Sequence, residues 1–129
     1  MTDPTAIESI LIDSSGWLEY ITEDTKAELF SPYFVSDSRN IVISPIVIYE
    51  VRKVLLRRSK RVAEDFDSQV ERYELIPLDG RIAHEAASLS TEHHLHIADA
   101  LIYATALVTR AQLITSDNHF NNLPQVMVL

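Results

Sequence analysis

The stretch NIVISPIVIYEV, residues 40–51, decides the fold, because its β-branched residues fit either one long strand or a strand followed by a helix. A proline in the middle of a central strand is disfavoured, since it cannot donate to the hydrogen-bond ladder. Serine at the N-cap followed by proline at the first helical position is instead a typical helix start. We therefore predict that a buried strand ends at Ile43, that Ser44 caps a helix, and that this helix extends from Pro45 to about Arg58.

Short apolar strands and helices alternate along the rest of the chain as well. Turn and capping signals divide it into five predicted strands, at residues 9–13, 40–43, 73–77, 111–115 and 125–129. Between them we predict a helical turn near Trp17 capped by Ser14 or Ser15, a loop over 116–124, and further helices over 24–35, 62–72, 79–89 and 97–110. Pro32 is expected to disturb the second helix. Alternation of this kind predicts a three-layer α/β/α sandwich with a central, mainly parallel sheet and right-handed crossovers.

Length and composition are ordinary for one globular domain, which we expect to span residues 1–129. Hydrophobic residues make up 47 % of the chain and charged residues 23 %. The absence of cysteine from the sequence excludes a disulfide scaffold, thiolate metal ligands and cysteine catalysis. The N-terminus lacks the features of a secretory signal. The longest apolar stretch, Ile97 to Val108, is too short for a membrane span and is interrupted by Asp99. We expect a soluble, cytoplasmic protein with no membrane association.

The net charge of −8, from 11 basic and 19 acidic residues, argues at first against a nucleic-acid partner. Six of the eleven basic residues nevertheless fall within ten positions: Arg52, Lys53, Arg57, Arg58, Lys60 and Arg61. The ordinary interpretation of such a stretch is a solvated helix end, where cations are favourable. Contact with a nucleic-acid backbone and contact with a protein partner are the functional interpretations, and they do not exclude each other.

Four carboxylates are placed where a parallel sheet forms its sites, outside the carboxyl ends of the strands. Asp13 ends the first strand, Glu50 lies in the second turn of the helix after strand two, and Asp117 follows strand four. Asp99 is in the first turn of the apolar helix before strand four, and it joins the others if that helix begins at the same edge.

Each of these acids also has an ordinary structural interpretation. Aspartate is common in turns and Asx-turns, which suits Asp13 and Asp117. Asp99 could interact with its helix dipole, and Glu50 could lie on a solvated helix face. Taken together these interpretations are weaker, because Asp13 and Asp99 lie in segments too apolar to hold an unpaired charge cheaply.

A bound cation would explain why the carboxylates come together. Carboxylates within a few ångströms of one another repel and raise their own pKa values unless a cation lies among them. A hard divalent ion such as Mg²⁺ takes oxygen ligands and also binds substrate phosphate oxygens. Such an ion can polarise a phosphodiester and deprotonate a bound water. Two of them would change the charge from −8 to −4, which makes a nucleic-acid substrate compatible with the composition.

Four segments of the sequence resemble the acidic motifs of PIN-domain ribonucleases: Ile10-Leu11-Ile12-Asp13-Ser14-Ser15, Tyr49-Glu50-Val51, Ile97-Ala98-Asp99-Ala100-Leu101-Ile102 and Thr115-Ser116-Asp117-Asn118-His119-Phe120. In size and motif order the chain is most similar to the VapC toxins of toxin–antitoxin pairs. The resemblance implies a Mg²⁺- or Mn²⁺-dependent endoribonuclease, commonly dimeric, that acts on RNA. It also implies inhibition by a small antitoxin whose C-terminal segment enters the active-site groove.

The resemblance assigns roles residue by residue. Asp13, Glu50 and Asp99 match the family's three principal acids, and Asp117 matches the more variable fourth acid, so these four are the expected catalytic and metal-binding residues. Substrate contacts are expected from the basic stretch and from the hydroxyls beside Asp117: Arg57, Arg58, Lys60, Arg61, Thr115 and Ser116. Thr115 or Ser116 could orient a metal-bound water, although Thr115 could equally be an ordinary strand residue.

Two departures from the family pattern concern the groove and the choice of substrate. Tyr103 stands where a small residue is common, and Arg52-Lys53 stand where an apolar or small residue is common. Two other functions remain open for the same fold: a housekeeping RNA-processing nuclease, and an interaction module without catalysis.

Other candidate sites are weaker. A zinc site made by His93, His94, His96 and Glu92 lacks an i, i+4 pair, so a solvated loop is preferred. His119 could donate a proton, but packing under Phe120 is the preferred interpretation. Serine-hydrolase chemistry lacks a Gly-x-Ser-x-Gly turn, and a haloacid-dehalogenase-type phosphatase would need a second aspartate where Ser15 stands.

Apolar residues of the early helices allow two interpretations. A dimer or antitoxin surface is one, and core packing is the default. The residues concerned are Trp17, Leu29, Phe30, Tyr33 and Phe34.

Overall fold

The computed structural model describes residues 7–129, which form a five-stranded, all-parallel sheet with helices. The strands are β1 (Ser9–Ile12), β2 (Asn40–Ile43), β3 (Glu74–Leu75), β4 (Ala111–Thr115) and β5 (Val126–Val128). The helices are α1 (Ser14–Ile21), α2 (Ala27–Val35), α3 (Pro45–Arg58), α4 (Lys60–Val70), α5 (Gly80–His93) and α6 (Ile97–Val108). A short 3-10 turn (Asn118–Phe120) precedes β5.

The order of strands in the sheet is β3-β2-β1-β4-β5. The chain moves from β1 outward to β3, then returns across the centre to β4 and continues to β5. Right-handed crossovers in opposite directions place their helices on opposite faces, which gives the predicted α/β/α sandwich. The direction of winding changes between β1 and β4, and in such sheets ligands bind outside the strand ends at this switch point.

The stretch around Ser44 folds as predicted. Ser44 is extended at the N-cap, its hydroxyl accepts a hydrogen bond from Ile46 N at 3.2 Å, and Pro45 opens α3. The chain therefore ends β2 at Ile43 and turns directly into a helix. This places Glu50 in the second turn of α3, close to the edge of the sheet from which β2 emerges.

The cap of α1 differs from the prediction. Asp13 is not the last residue of β1 but the N-cap of α1, because its backbone is extended and its carboxylate accepts a hydrogen bond from Gly16 N. Ser14 and Ser15, predicted as caps, lie inside the first turn. A carboxylate is a strong N-cap acceptor, and the serine hydroxyls are engaged elsewhere, as described below.

The bounds of two further helices also differ. Residues 22–26 form turns, so α2 begins at Ala27 rather than at residue 24, and it continues through Pro32. The side chain of Ser59 accepts a hydrogen bond from Val62 N and caps α4, which therefore begins at Lys60 rather than at Val62. Lys60 and Arg61 consequently open a helix instead of following one.

The remaining differences are at element ends. α5 begins at Gly80, with Asp79 as its N-cap, and continues to His93 rather than ending at Leu89, so His93 lies in a helix and not in the predicted loop. α4 ends at Val70 and α6 ends at Val108, because Thr109 caps α6 and Arg110 has a positive φ. The two edge strands, β3 and β5, are shorter than predicted. The loop over 116–124 contains the 3-10 turn, which Asp117 caps.

An aromatic cluster around Trp17 joins the early helices to the core. Trp17 is fully buried and contacts three rings edge to face, those of Phe34 (4.6 Å between centroids), Phe66 (5.3 Å) and Tyr73 (5.7 Å). Phe30 is also fully buried, so the default prediction of core packing is confirmed for Trp17 and Phe30. Leu29, in contrast, is 51 % exposed. None of the helices in the described part of the chain has the length and apolar character that crossing a bilayer requires.

Candidate active site

The candidate site lies at the switch point, where β1 and β4 end side by side. The register pairs Ile12 with Ile114, and Asp13 N donates to Ile114 O at 3.1 Å, so Asp13 emerges beside Thr115. The hydroxyl of Thr115 donates to Asp13 Oδ2 at 2.6 Å and accepts a hydrogen bond from Asp117 N at 2.9 Å. One buried hydroxyl therefore ties the positions of two of the predicted acids together.

The other oxygen of Asp13 is held by the first turn of α1. Ser15 Oγ donates to Asp13 Oδ1 at 2.5 Å, and Gly16 N donates to the same oxygen at 3.2 Å. Ser15 Oγ also accepts a hydrogen bond from Ser116 N at 3.1 Å. The orientation of Asp13 is thus fixed by Ser15 and Gly16, which follow β1, and by Thr115 at the end of β4.

Burial sets the protonation of Asp13. The residue is only 4 % exposed, and desolvation raises the pKa of its carboxyl from 3.8 to about 6. Hydrogen bonds from Ser15, Thr115 and Gly16 lower this pKa without overcoming the effect of burial, and the negative charge of Asp117 raises it further. The folded chain therefore places a carboxylate where its charge is poorly solvated.

Glu50 and Asp99 complete the group of acids. Ser14 Oγ donates to Glu50 Oε1 at 2.9 Å, so α1 orients an acid of α3. Asp99 lies half-buried in the first turn of α6. Its pKa is raised, first by burial and then by the negative charges of Asp117 and Glu50. Asp117 acts electrostatically on both Asp13 and Asp99, and Glu50 acts on Asp99, so the four predicted acids lie near the same strand ends. Among the described residues, Asp99 and Asp117 have the close spacing of metal ligands, whereas Asp13 and Glu50 lie outside that group.

His119 belongs to this group as well. Asp99, Asp117 and His119 each offer one ligand atom within 4.8 Å of the others. The Nδ1 atom of His119 lies 3.1 Å from Asp117 Oδ1, and the His119 side chain is 72 % exposed. The expectation that His119 packs under Phe120 is wrong, because in the 3-10 turn Phe120 faces the core while His119 faces the carboxylates.

Comparison with known proteins agrees with this geometry. The family model described as "PIN domain" matches residues 10–126 of the chain. The chain belongs to the PIN domain family. The family resemblance predicted from the four acidic segments is therefore confirmed. The matched region contains all four acids and both strands of the switch point.

The solved structures similar to this PIN domain include toxins and toxin–antitoxin complexes. A toxin–antitoxin complex from Klebsiella pneumoniae has a TM-score of 0.81 at 23 % identity, over 93 % of this chain and 97 % of that chain. VapC20 from Mycobacterium tuberculosis, a toxin that cleaves the sarcin–ricin loop, has a TM-score of 0.76 at 18 % identity, over 90 % and 95 %. VapBC2 from Rickettsia felis, bound to a DNA fragment from its promoter, has a TM-score of 0.73 at 19 % identity, over 93 % and 96 %. At these identities the likeness establishes the fold. No curated protein matches the sequence significantly.

The donor set of this PIN domain fits a hard divalent cation. It offers carboxylate oxygens from four places in the fold, namely the N-cap of α1, helix α3, helix α6 and the N-cap of the 3-10 turn. Carboxylate oxygens are the ligands that Mg²⁺ and Mn²⁺ take. Burial is the main cause of the raised pKa values of Asp13 and Asp99, and the negative charges of neighbouring carboxylates add to it. Bound cations are often the largest local charge in such a site and reverse shifts of this kind.

The predicted substrate-contact residues lie in two places. Arg57 shares a cavity of about 280 Å³ with Glu50, whereas Arg58, Lys60 and Arg61 are exposed where α3 meets α4. Ser116 is half-buried beside Asp117, and Thr115 is fully buried. Of these residues, Thr115 is the one whose hydroxyl is occupied by bonds to the acids. The histidines predicted as an unlikely zinc site, His93, His94 and His96, are not members of the carboxylate group.

Three residues that organise the site were not predicted as site residues. The sequence predicts Ser14 and Ser15 only as helix caps, yet their hydroxyls donate to Glu50 and Asp13, respectively. The signal was present: two hydroxyl residues directly after a strand-end acid occupy the first turn of the next helix, at the same edge of the sheet. Gly16 was also not singled out, although it donates to Asp13.

Proposed function

We propose that this PIN domain is a metal-dependent endoribonuclease that hydrolyses RNA phosphodiester bonds. The observation that carries the proposal is the convergence of Asp13, Glu50, Asp99 and Asp117 at the switch point, with burial and mutual repulsion raising the pKa values of Asp13 and Asp99. Carboxylates buried and crowded in this way lower the stability of the fold, and a bound cation would offset that cost.

The four acids would hold Mg²⁺ or Mn²⁺. When bound, such an ion supplies Lewis-acid chemistry, polarising the phosphodiester and making water nucleophilic near neutral pH. Asp13 would be the most rigid ligand, because three hydrogen-bond donors fix both of its oxygens. Thr115, Ser15 and Ser14 act as positioning residues, since their hydroxyls orient acids and, in the case of Thr115, are buried away from substrate.

Basic residues near the acids suit the backbone of an RNA substrate. Arg57 lines the same cavity as Glu50, and Arg58, Lys60 and Arg61 are exposed where α3 meets α4. Arginine and lysine side chains contact the phosphates of a nucleic-acid backbone. The half-buried Ser116 next to Asp117 is a further candidate for substrate contact.

The biological role that we propose is that of the toxin of a type II toxin–antitoxin pair, acting in the cytoplasm as a homodimer and inhibited by a small antitoxin. The similarity of the fold to toxin–antitoxin structures from three bacteria supports this role. Expression of the wild-type chain should arrest growth, and co-expression of a small protein encoded directly upstream should prevent the arrest. RNA cleavage in vitro without growth arrest would instead indicate a housekeeping nuclease.

Asp99→Asn tests the chemistry. The variant keeps the shape of the side chain and removes one negative charge from a crowded group, so it should fold normally, as judged by circular dichroism. Its rate of RNA cleavage with Mg²⁺ or Mn²⁺ should fall by more than the roughly 10–100-fold that loss of an outer-shell group costs. Glu85→Gln, an exposed change on α5, is the matched control and should cleave at the wild-type rate.

Two results would contradict the proposal. Cleavage by Asp99→Asn at the wild-type rate would remove Asp99 from the reaction. Failure of the wild-type chain to bind Mn²⁺ in a calorimetric titration would favour the interaction module without catalysis.

A further inference from the structure

His119 is the one non-acidic member of the group that holds Asp99 and Asp117. Its side chain is 72 % exposed, so it is not needed to fill the core. The imidazole nevertheless points toward the carboxylates, with Nδ1 3.1 Å from Asp117 Oδ1. An exposed histidine held in this position by its neighbours calls for an explanation beyond packing.

The position of His119 is set from both sides along the chain. Asp117, two residues before, caps the 3-10 turn and accepts a hydrogen bond from His119 N at 2.9 Å. Phe120, the next residue, is fully buried and packs edge to face on Tyr103 at 6.1 Å between centroids. The backbone of His119 is therefore anchored, and only the side-chain torsions remain free to move the imidazole.

The spacing suits coordination of a single ion. An octahedral ion with metal–ligand distances of about 2.1 Å holds adjacent ligand atoms roughly 3 Å apart and opposite ones roughly 4.2 Å apart. The 3.1 Å between His119 Nδ1 and Asp117 Oδ1 equals the adjacent spacing. The ligand atoms of Asp99, Asp117 and His119 all lie within 4.8 Å of one another, which is close to the opposite spacing.

We infer that His119 is a direct metal ligand, which together with Asp99 and Asp117 forms a mixed nitrogen–oxygen position selecting a transition-metal ion over Mg²⁺. This inference rests on the proposed metal-dependent function. Mg²⁺ takes oxygen ligands and gives up its waters reluctantly. Imidazole is a ligand of first-row transition ions, whose affinity for sites containing nitrogen rises along the series from Mn²⁺. The wild-type chain should therefore bind Mn²⁺ more tightly than Mg²⁺, and His119 should be the cause.

Mn²⁺ binding by three forms of the full chain tests the inference. Wild type, His119→Gln and His96→Gln are titrated with Mn²⁺ and, separately, with Mg²⁺ by calorimetry. His96 is the matched control, because it is exposed and its charge acts on Asp99, yet it is outside the ligand group. His119→Gln should weaken Mn²⁺ binding by about tenfold or more and Mg²⁺ binding by less than about threefold. His96→Gln should leave both affinities within about twofold of wild type.

Spin-echo electron paramagnetic resonance gives a direct readout that does not depend on cleavage. Mn²⁺ bound to wild type should show modulation from a coordinated nitrogen nucleus, His96→Gln should retain this modulation, and His119→Gln should lose it. Bound Mn²⁺ without nitrogen modulation in wild type would overturn the inference and leave the metal-dependent function intact. Modulation that persists in His119→Gln would overturn it in the same way. No Mn²⁺ binding by wild type would overturn both.

Discussion

At the scale of the single residue, Asp13 shows what burying a carboxylate costs in stability. Its carboxyl has a pKa of about 6 in the folded chain, compared with 3.8 as the ordinary value. The folded state consequently holds this proton more tightly than the unfolded chain does. In metal-free protein, the stability from protonated Asp13 is complete below about pH 4 and is lost as the pH rises through about 6.

Asp13→Asn should therefore stabilise the metal-free protein in a pH-dependent way. Asparagine caps a helix as well as aspartate does, and it carries no charge to desolvate. Relative to wild type, the free energy of unfolding of the variant should rise by up to ~3 kcal/mol between about pH 4 and pH 7.5. Urea denaturation at several pH values with a chelator present measures this difference.

Asp37→Asn is the internal control of opposite sign. Hydrogen bonds from Arg39 lower the pKa of the Asp37 carboxyl, so its stabilising contribution is present above the unfolded pKa and is lost as the pH falls. This variant should lose stability at neutral pH and match wild type in acid. Equal pH dependence of the two variants would show that the pKa of Asp13 is not raised by burial.

Site residues could be predicted from the sequence where their role follows from their place at a strand end or a helix start. All four acids stand next to predicted strand ends or helix starts, and the structure brings them together. The hydroxyls of Ser14 and Ser15 and the direction of His119 depend on which side chain caps which turn. Neighbouring side chains can each act as the N-cap acceptor, and in α1 the acceptor is Asp13 rather than Ser14 or Ser15.

At the scale of the element, the first turn of α1 depends on Gly16. A Cβ atom built on Gly16 would lie 2.5 Å from Ile12 Cγ2 and 2.7 Å from Phe30 Cε1. Both neighbours are fully buried, so neither can move away without disturbing the core. Glycine therefore allows α1 to approach β1 and α2 closely enough for Gly16 N to reach Asp13.

Gly16→Ala should destabilise the protein by about 1–3 kcal/mol, the usual cost of overpacking a core. The second glycine of the chain provides the matched control: Gly80 is the first residue of α5, and nothing lies within 4 Å of a Cβ built there. Gly80→Ala should change stability by less than about 0.5 kcal/mol or stabilise slightly. Denaturant midpoints of the two variants measure the contrast, and equal midpoints would contradict the role given to Gly16.

Element types followed from the sequence, whereas element ends often did not. The helix from Pro45 to Arg58 has its predicted limits because Ser44 and Pro45 are strong start signals. α2 begins three residues later than predicted, since nothing local distinguishes turn from helix over residues 24–26. Edge strands β3 and β5 are short because each has a single neighbouring strand to pair with.

At the scale of the whole molecule, the acidic composition and the proposed nucleic-acid substrate are compatible because several exposed basic residues lie together where α3 meets α4. The net charge is −8, yet the α3–α4 junction carries exposed Arg57, Arg58, Lys60 and Arg61. Their local concentration could be predicted from the sequence. Their placement relative to the acids could not, because it depends on α3 passing from Glu50 to Arg57 along one cavity.

Salt dependence of RNA binding tests whether RNA contacts the basic residues at the α3–α4 junction. Binding is measured with Asp99→Asn, which should not cleave, in a titration of monovalent salt. Adding Arg57→Gln, Arg58→Gln and Arg61→Gln should weaken binding, and the slope of log affinity against log salt should become shallower by up to about 2, from ~0.7 for each lost phosphate contact with a single strand. Arg72→Gln, Arg81→Gln and Arg110→Gln remove the same charge from other exposed positions and should leave the slope nearly unchanged. Equal losses in the two triple variants would mean that RNA responds to net charge alone, and the α3–α4 junction would then not be the path of the substrate.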